Sequence, residues 1–68
     1  MKPMTAAVLR VLEDRGERGI TPLEALEVIG TFRLGARIWE LKRDGWPIET
    51  DMVKTPSGKR IARYRLAA

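Results

Sequence analysis

A chain of 68 residues is one domain at most, and a fold of that size buries only about 60 % of the surface its unfolded chain exposes, so the apolar core has little to spare. With no cysteine and no histidine it has neither a disulfide nor the usual zinc ligands to help, while 44 % hydrophobic and 32 % charged residues exclude the composition of a disordered chain. The formal charge of +4 is unevenly spread: four basic residues accompany five acidic ones up to Ile29, and nine accompany four from Gly30 onward, so the second half carries a positive field suited to a polyanion or an anionic surface.

The first helix is expected to begin near Thr5, whose hydroxyl can cap free amides, and to end around Arg15-Gly16, with Val8, Leu9, Val11 and Leu12 recurring at helical spacing. The apolar run Met4 to Leu9 is cut short by Arg10, too brief for a signal-peptide core or a membrane span, so the expectation is a soluble cytoplasmic protein with no membrane partner. Glu17 to Ile20 reads as a short connector. The clearest local signal follows in Thr21-Pro22-Leu23-Glu24. Threonine caps, proline occupies the first helical position where its missing N–H costs nothing, and a glutamate three residues after the cap closes a capping box. A second helix therefore starts there, turns Leu23, Leu26 and Ile29 inward, and stops at Gly30.

A third helix is expected from Thr31 or Phe32 to Asp44, ended by Gly45. Leu34, Ile38 and Leu41 form its apolar stripe; Arg33, Ala36, Arg37, Glu40 and Arg43 lie largely opposite. Gly35 sits inside the helix at a cost of roughly 1 kcal/mol, which suggests close approach to helix two or to a bound backbone. Trp39 falls off the stripe, leaving it to cover helix one or to make a protein contact, whereas Phe32, Trp46 and Tyr64 read as core. After Gly45 the period changes to alternation on both sides of Thr55-Pro56-Ser57-Gly58, which predicts a hairpin. Pairing Lys54 with Arg60 sets Asp51 opposite Arg63, Glu49 opposite Arg65 and Ile48 opposite Leu66, so one register matches charge on one face and apolar side chains on the other.

The order helix, helix, helix, strand, strand is that of an α+β winged helix-turn-helix, as a single domain over residues 1–68. In that geometry the third helix enters the major groove and the hairpin reaches the backbone beside it, which makes double-stranded DNA the expected partner. Arg33 and Arg37, one turn apart near the start of helix three, are candidates for guanine or phosphate, with Ala36 and Arg43 on the same side. Thr31 is a candidate cap that offers its N–H to a phosphate, and Lys54, Lys59 and Arg60 are candidate phosphate contacts on the wing. Arg63 and Arg65 are expected to be structural. Without histidine, cysteine or a glycine-rich phosphate loop, catalysis has no foothold, and neither an enzyme nor a cofactor is expected. Dimerisation fits, because one small module rarely supplies enough affinity alone. The rival is a protein-interaction module, such as a small phage protein that inhibits a host factor, to which Glu40, Asp44 and an exposed Trp39 would be suited.

Three blocks in order, Ile20-Thr21-Pro22-Leu23-Glu24-Ala25-Leu26, then Arg33 through Ile48, then Gly58 through Leu66, resemble the small helix-turn-helix domain family common in bacteriophages and prophages. The resemblance covers nearly the whole chain and implies DNA binding; the expected role is that of a transcriptional regulator or an excision-type architectural factor of phage, prophage or bacterial type. The chain departs from the family pattern in Gly35, where alanine is usual, and in Trp39, where a polar residue is frequent.

Overall fold

The computed structural model describes residues 1–67; Ala68, the end of the expected domain, lies outside the described residues. Three helices and a hairpin follow one another as α1 (Pro3–Arg15), α2 (Pro22–Val28), α3 (Leu34–Arg43), β1 (Ile48–Lys54) and β2 (Arg60–Leu66). This is the expected winged helix-turn-helix architecture.

Helix α1 starts two residues before the expected Thr5, because Pro3 has its φ preset for the first turn and has no N–H to leave orphaned. Thr5 is consequently not a cap. It is buried inside the helix, and its hydroxyl donates to Glu40 Oε1 on α3. Val8, Leu9 and Leu12 face the core and Val11 packs at its margin.

The connector after α1 holds more structure than its sequence pattern suggests. Gly16–Arg18 form a single 3-10 turn, and Ile20 then pairs with Tyr64 of β2, its N–H donating to the Tyr64 carbonyl at 2.7 Å and its carbonyl accepting from the Tyr64 N–H at 2.9 Å. The wing thereby gains a third row on the far side of β2, and the fully buried Ile20 side chain is locked into the core. Gly19 makes this possible. Its φ is +63°, and a Cβ there would stand 2.2 Å from the Tyr64 carbonyl oxygen.

The capping box of α2 is complete: the Glu24 N–H donates to Thr21 Oγ1 at 3.2 Å and the Thr21 N–H donates to Glu24 Oε1 at 3.1 Å. Arg15 Nη1 lies 3.1 Å from the same carboxylate oxygen, tying the end of α1 to the start of α2. Ala25 is the buried residue of this seven-residue helix. Leu23, Leu26 and Ile29 are expected to turn inward; Ile29 does so and packs at the core margin, Leu26 is half-buried, but Leu23 is 60 % exposed. A helix of two turns presents only a narrow strip to its neighbours, and Leu23 lies beyond it.

Helix α3 begins at Leu34, later than the expected Thr31 or Phe32, because the turn from α2 consumes those residues. The N–H groups of Ile29, Gly30 and Thr31 converge on the Ala25 carbonyl, with Gly30 at φ +83°. Thr31 is buried and its Oγ1 accepts from the Arg33 N–H at 3.1 Å, so it braces the turn rather than capping the helix. Phe32, expected in the core, is 87 % exposed in that turn. Gly35 has no neighbour within 4 Å of where a Cβ would be, so it serves no close approach to α2.

Leu34, Ile38 and Leu41 meet Val8, Leu9, Leu12, Ile20 and Ala25 in one core, sealed by Trp46, Ile48, Tyr64 and Leu66. The hairpin has the expected register, from Ile48↔Leu66 through Asp51↔Arg63 to Lys54↔Arg60. Met52, on the strand face shared with Ile48, is exposed because the wing projects past the end of the core. Among the described residues no helix is long and apolar enough to cross a membrane.

Candidate nucleic-acid interface

The cations divide by whether the fold uses them. Arg65 bridges two carboxylates on one strand face, its Nη2 2.7 Å from Glu49 Oε2 and its Nε 2.8 Å from Asp51 Oδ2, and Arg63 Nη2 stands 3.6 Å from the same Asp51 oxygen. The hydrogen bond from Arg65 holds the Asp51 carboxyl below its usual range, and Asp51 in turn holds the Arg65 guanidinium more firmly protonated. Arg63 and Arg65 are therefore structural, as the strand register implies.

Arg37 has been drawn into the same kind of service. Its side chain is only 16 % exposed, its Nε lies 3.5 Å from Glu40 Oε1, and that Nε is buried without a hydrogen bond among the described residues. Glu40 also accepts from the Thr5 hydroxyl and from Lys2 Nζ at 3.1 Å, so its carboxylate clamps α3 to the start of α1. The Thr5 hydroxyl first, and then Lys2, hold the Glu40 carboxyl below its usual range. Arg37 is thus less exposed than the other candidate arginines and packs beside the Glu40 clamp. The helical stripe placed it opposite the core, but a third helix wedged beside α1 has a flank as well as a front and a back.

From Gly30 onward, among the described residues, Arg33, Lys42, Arg43, Lys54, Lys59 and Arg60 are exposed and form no ion pair. In the first half Arg10 and Arg18 are exposed and unpaired as well, one on α1 and one in the turn after it. Arg33 immediately precedes α3, Lys42 and Arg43 end it, and Lys54, Lys59 and Arg60 flank the hairpin turn. Helix α3 packs beside β1. Five members of this second-half group are candidates from the sequence; Lys42 is not. Of the other candidates, Thr31 is buried in the turn, and Ala36 is half-buried on α3 with Trp39 and Arg43 at i+3 and i+7.

Trp39 is the feature that sequence patterning underrates. It is 61 % exposed, and the Arg43 guanidinium carbon sits 4.9 Å from the centroid of its ring. That distance is within cation–π range, so the ring restricts the arginine's orientation without neutralising it. The i, i+4 spacing of Trp39 and Arg43 is the signal that could have found the pair.

A family model described as a winged helix-turn-helix domain matches residues 4–68. No curated protein and no solved structure matches the chain.

Proposed function

Because the chain belongs to the winged helix-turn-helix domain family, we propose that it binds double-stranded DNA, with α3 in the major groove and the β1–β2 turn on the phosphate backbone. The observation that carries this reading is the set of second-half cations left exposed and unpaired among the described residues, Arg33 just before α3, Lys42 and Arg43 at its end and Lys54, Lys59 and Arg60 about the hairpin turn, while Arg37, Arg63 and Arg65 are paired to carboxylates. Lys54, Lys59 and Arg60 would supply affinity through phosphates; the side chains of α3 would supply discrimination. The role is that of a regulator or an excision-type architectural factor of phage, prophage or bacterial type, working in the host cytoplasm as a binding protein rather than an enzyme. Two copies on half-sites one DNA turn apart would provide the affinity that a module of this size lacks.

The test is fluorescence anisotropy of a labelled mixed-sequence duplex at two salt concentrations, with the wild-type chain beside an Arg33→Ala, Arg43→Ala double variant. Binding that weakens with salt and is reduced in the variant supports the reading. No binding at low salt sinks it. The exposure of Trp39 and Phe32 favours a second reading, a protein-binding module for a host factor, and that reading gains if duplex DNA fails to bind.

A further inference from the structure

The outward side of α3 is unusual for a groove-facing helix in what it lacks. Ala36, Trp39 and Arg43 follow one another at i, i+3 and i+7, and Phe32 stands exposed just before the helix begins. Gly35 beside them leaves bare backbone with open space around it. No asparagine, glutamine, serine or threonine occurs between Leu34 and Arg43, so the helix carries neither of the amide side chains that pair bidentately with N6 and N7 of adenine. Its apolar members project no charge toward water and do not serve the core, since Trp39 and Phe32 are left largely in solvent. The one polar side chain in the i, i+3, i+7 row, Arg43, rests on the Trp39 ring at 4.9 Å.

Only one base offers an apolar group in the major groove, the C5-methyl of thymine, and only guanine offers two acceptors spaced for an arginine fork. We propose that the outward face of α3 reads thymine methyl groups beside a guanine, Ala36 and Trp39 meeting the methyls and Arg43, steadied by the Trp39 ring, taking the guanine. The inference rests on the DNA-binding reading above and specifies its ligand. Three features of the chain support it together. The small residues Gly35 and Ala36 let the helix backbone approach the groove floor. Trp39 supplies a broad apolar surface within reach of more than one base step. The stacked guanidinium has less side-chain freedom to lose on binding than a free one. Unpaired Arg33 and Lys42 near the two ends of the helix suit the phosphates that border such a site.

The experiment enriches a pool of random duplexes on the full chain, then compares the enriched duplex with the same duplex carrying deoxyuridine in place of thymidine. Enriched sites should hold thymines next to a guanine, and removing each methyl that the helix touches should weaken binding about fourfold. Trp39→Ala should bind thymine and uracil duplexes alike, Trp39→Phe should keep part of the difference, and Arg43→Lys should lose the guanine preference while the salt dependence stays. Circular dichroism should show that the variants fold, as the exposure of both side chains predicts. Salt-sensitive binding without enrichment, with equal affinity for thymine and uracil, or with discrimination intact in Trp39→Ala overturns the inference and leaves the DNA reading standing. Failure of every duplex to bind at low salt overturns both and assigns the Trp39 and Phe32 surface to a protein partner.

Discussion

Two glycines show how differently one residue type is used in this chain. Gly19 combines φ +63° with ψ −162°, backbone that only glycine adopts readily, and places its Cα against the Tyr64 carbonyl. An alanine methyl there would sit 2.2 Å from that oxygen and force apart the Ile20 and Tyr64 pairing. Gly19→Ala is expected to cost more than about 3 kcal/mol, most of what a domain of this size has, and to show a broad or absent thermal transition. Gly35 is the opposite case. It sits in a regular helix with open space around the position of a Cβ, so it exacts the helix penalty of glycine with no packing return. Gly35→Ala should raise stability by up to about 1 kcal/mol, which for a domain of this size is about 4–8 °C in Tm by calorimetry. If Gly35 serves groove approach, the gain in stability will be accompanied by weaker DNA binding.

Each element of the domain is joined to another by a carboxylate. Glu24 closes the α2 capping box and holds Arg15 of α1; Glu40 clamps α3 to Lys2 and Thr5; Asp51 ties β1 to Arg63 and Arg65 of β2. Burial works against ionisation of Glu24, but the Thr21 N–H and Arg15 together outweigh it, so all three carboxyls lie below their usual values in the folded chain. A carboxyl depressed on folding stabilises the fold above its unfolded pKa and loses that contribution as pH falls through the folded value. The melting temperature should hold steady down to about pH 5 and then drop through the region below the ordinary 4.5 of glutamate and 3.8 of aspartate. Glu40→Gln should lower the plateau and flatten the fall, since it removes one of the groups that titrate. A profile of the same steepness in that variant would mean that the clamp contributes little.

At the scale of the whole molecule, charge separates into an internal part and an external one. The paired arginines hold the sheet and the helices in register, and the unpaired cations on α3 and the wing give that surface its positive field. The molecule is 35 Å along its longest axis. The wing cations are expected to act as phosphate neutralisers. A Lys54→Ala, Lys59→Ala, Arg60→Ala variant should melt like the wild type, because these side chains are exposed and unpaired, while the slope of log K against log salt should shrink by about 0.9 for each phosphate that is no longer neutralised. A slope that does not change would remove the wing from the interface.

The fold was legible because its signals are local. The Thr21 to Glu24 capping box, the Leu34, Ile38, Leu41 stripe and the charge-matched hairpin register each depend on residues close in the chain or paired through one short turn, and each is found as the pattern implies. Basic composition of the second half, the architecture and the wing cations could likewise be read from residue order. What the tertiary structure decided is which side chains remain available. Arg37 was packed beside Glu40, whose other partners Lys2 and Thr5 lie 38 and 35 positions away. Ile20 was enlisted into the sheet by a bridge to Tyr64, and Phe32 and Leu23 were left outside a core too small to cover them. Helical periodicity gives the face of a residue on its own helix; the neighbours packed along that face, and the partners that neutralise its charge, come from distant segments and exist only once the chain has closed on itself.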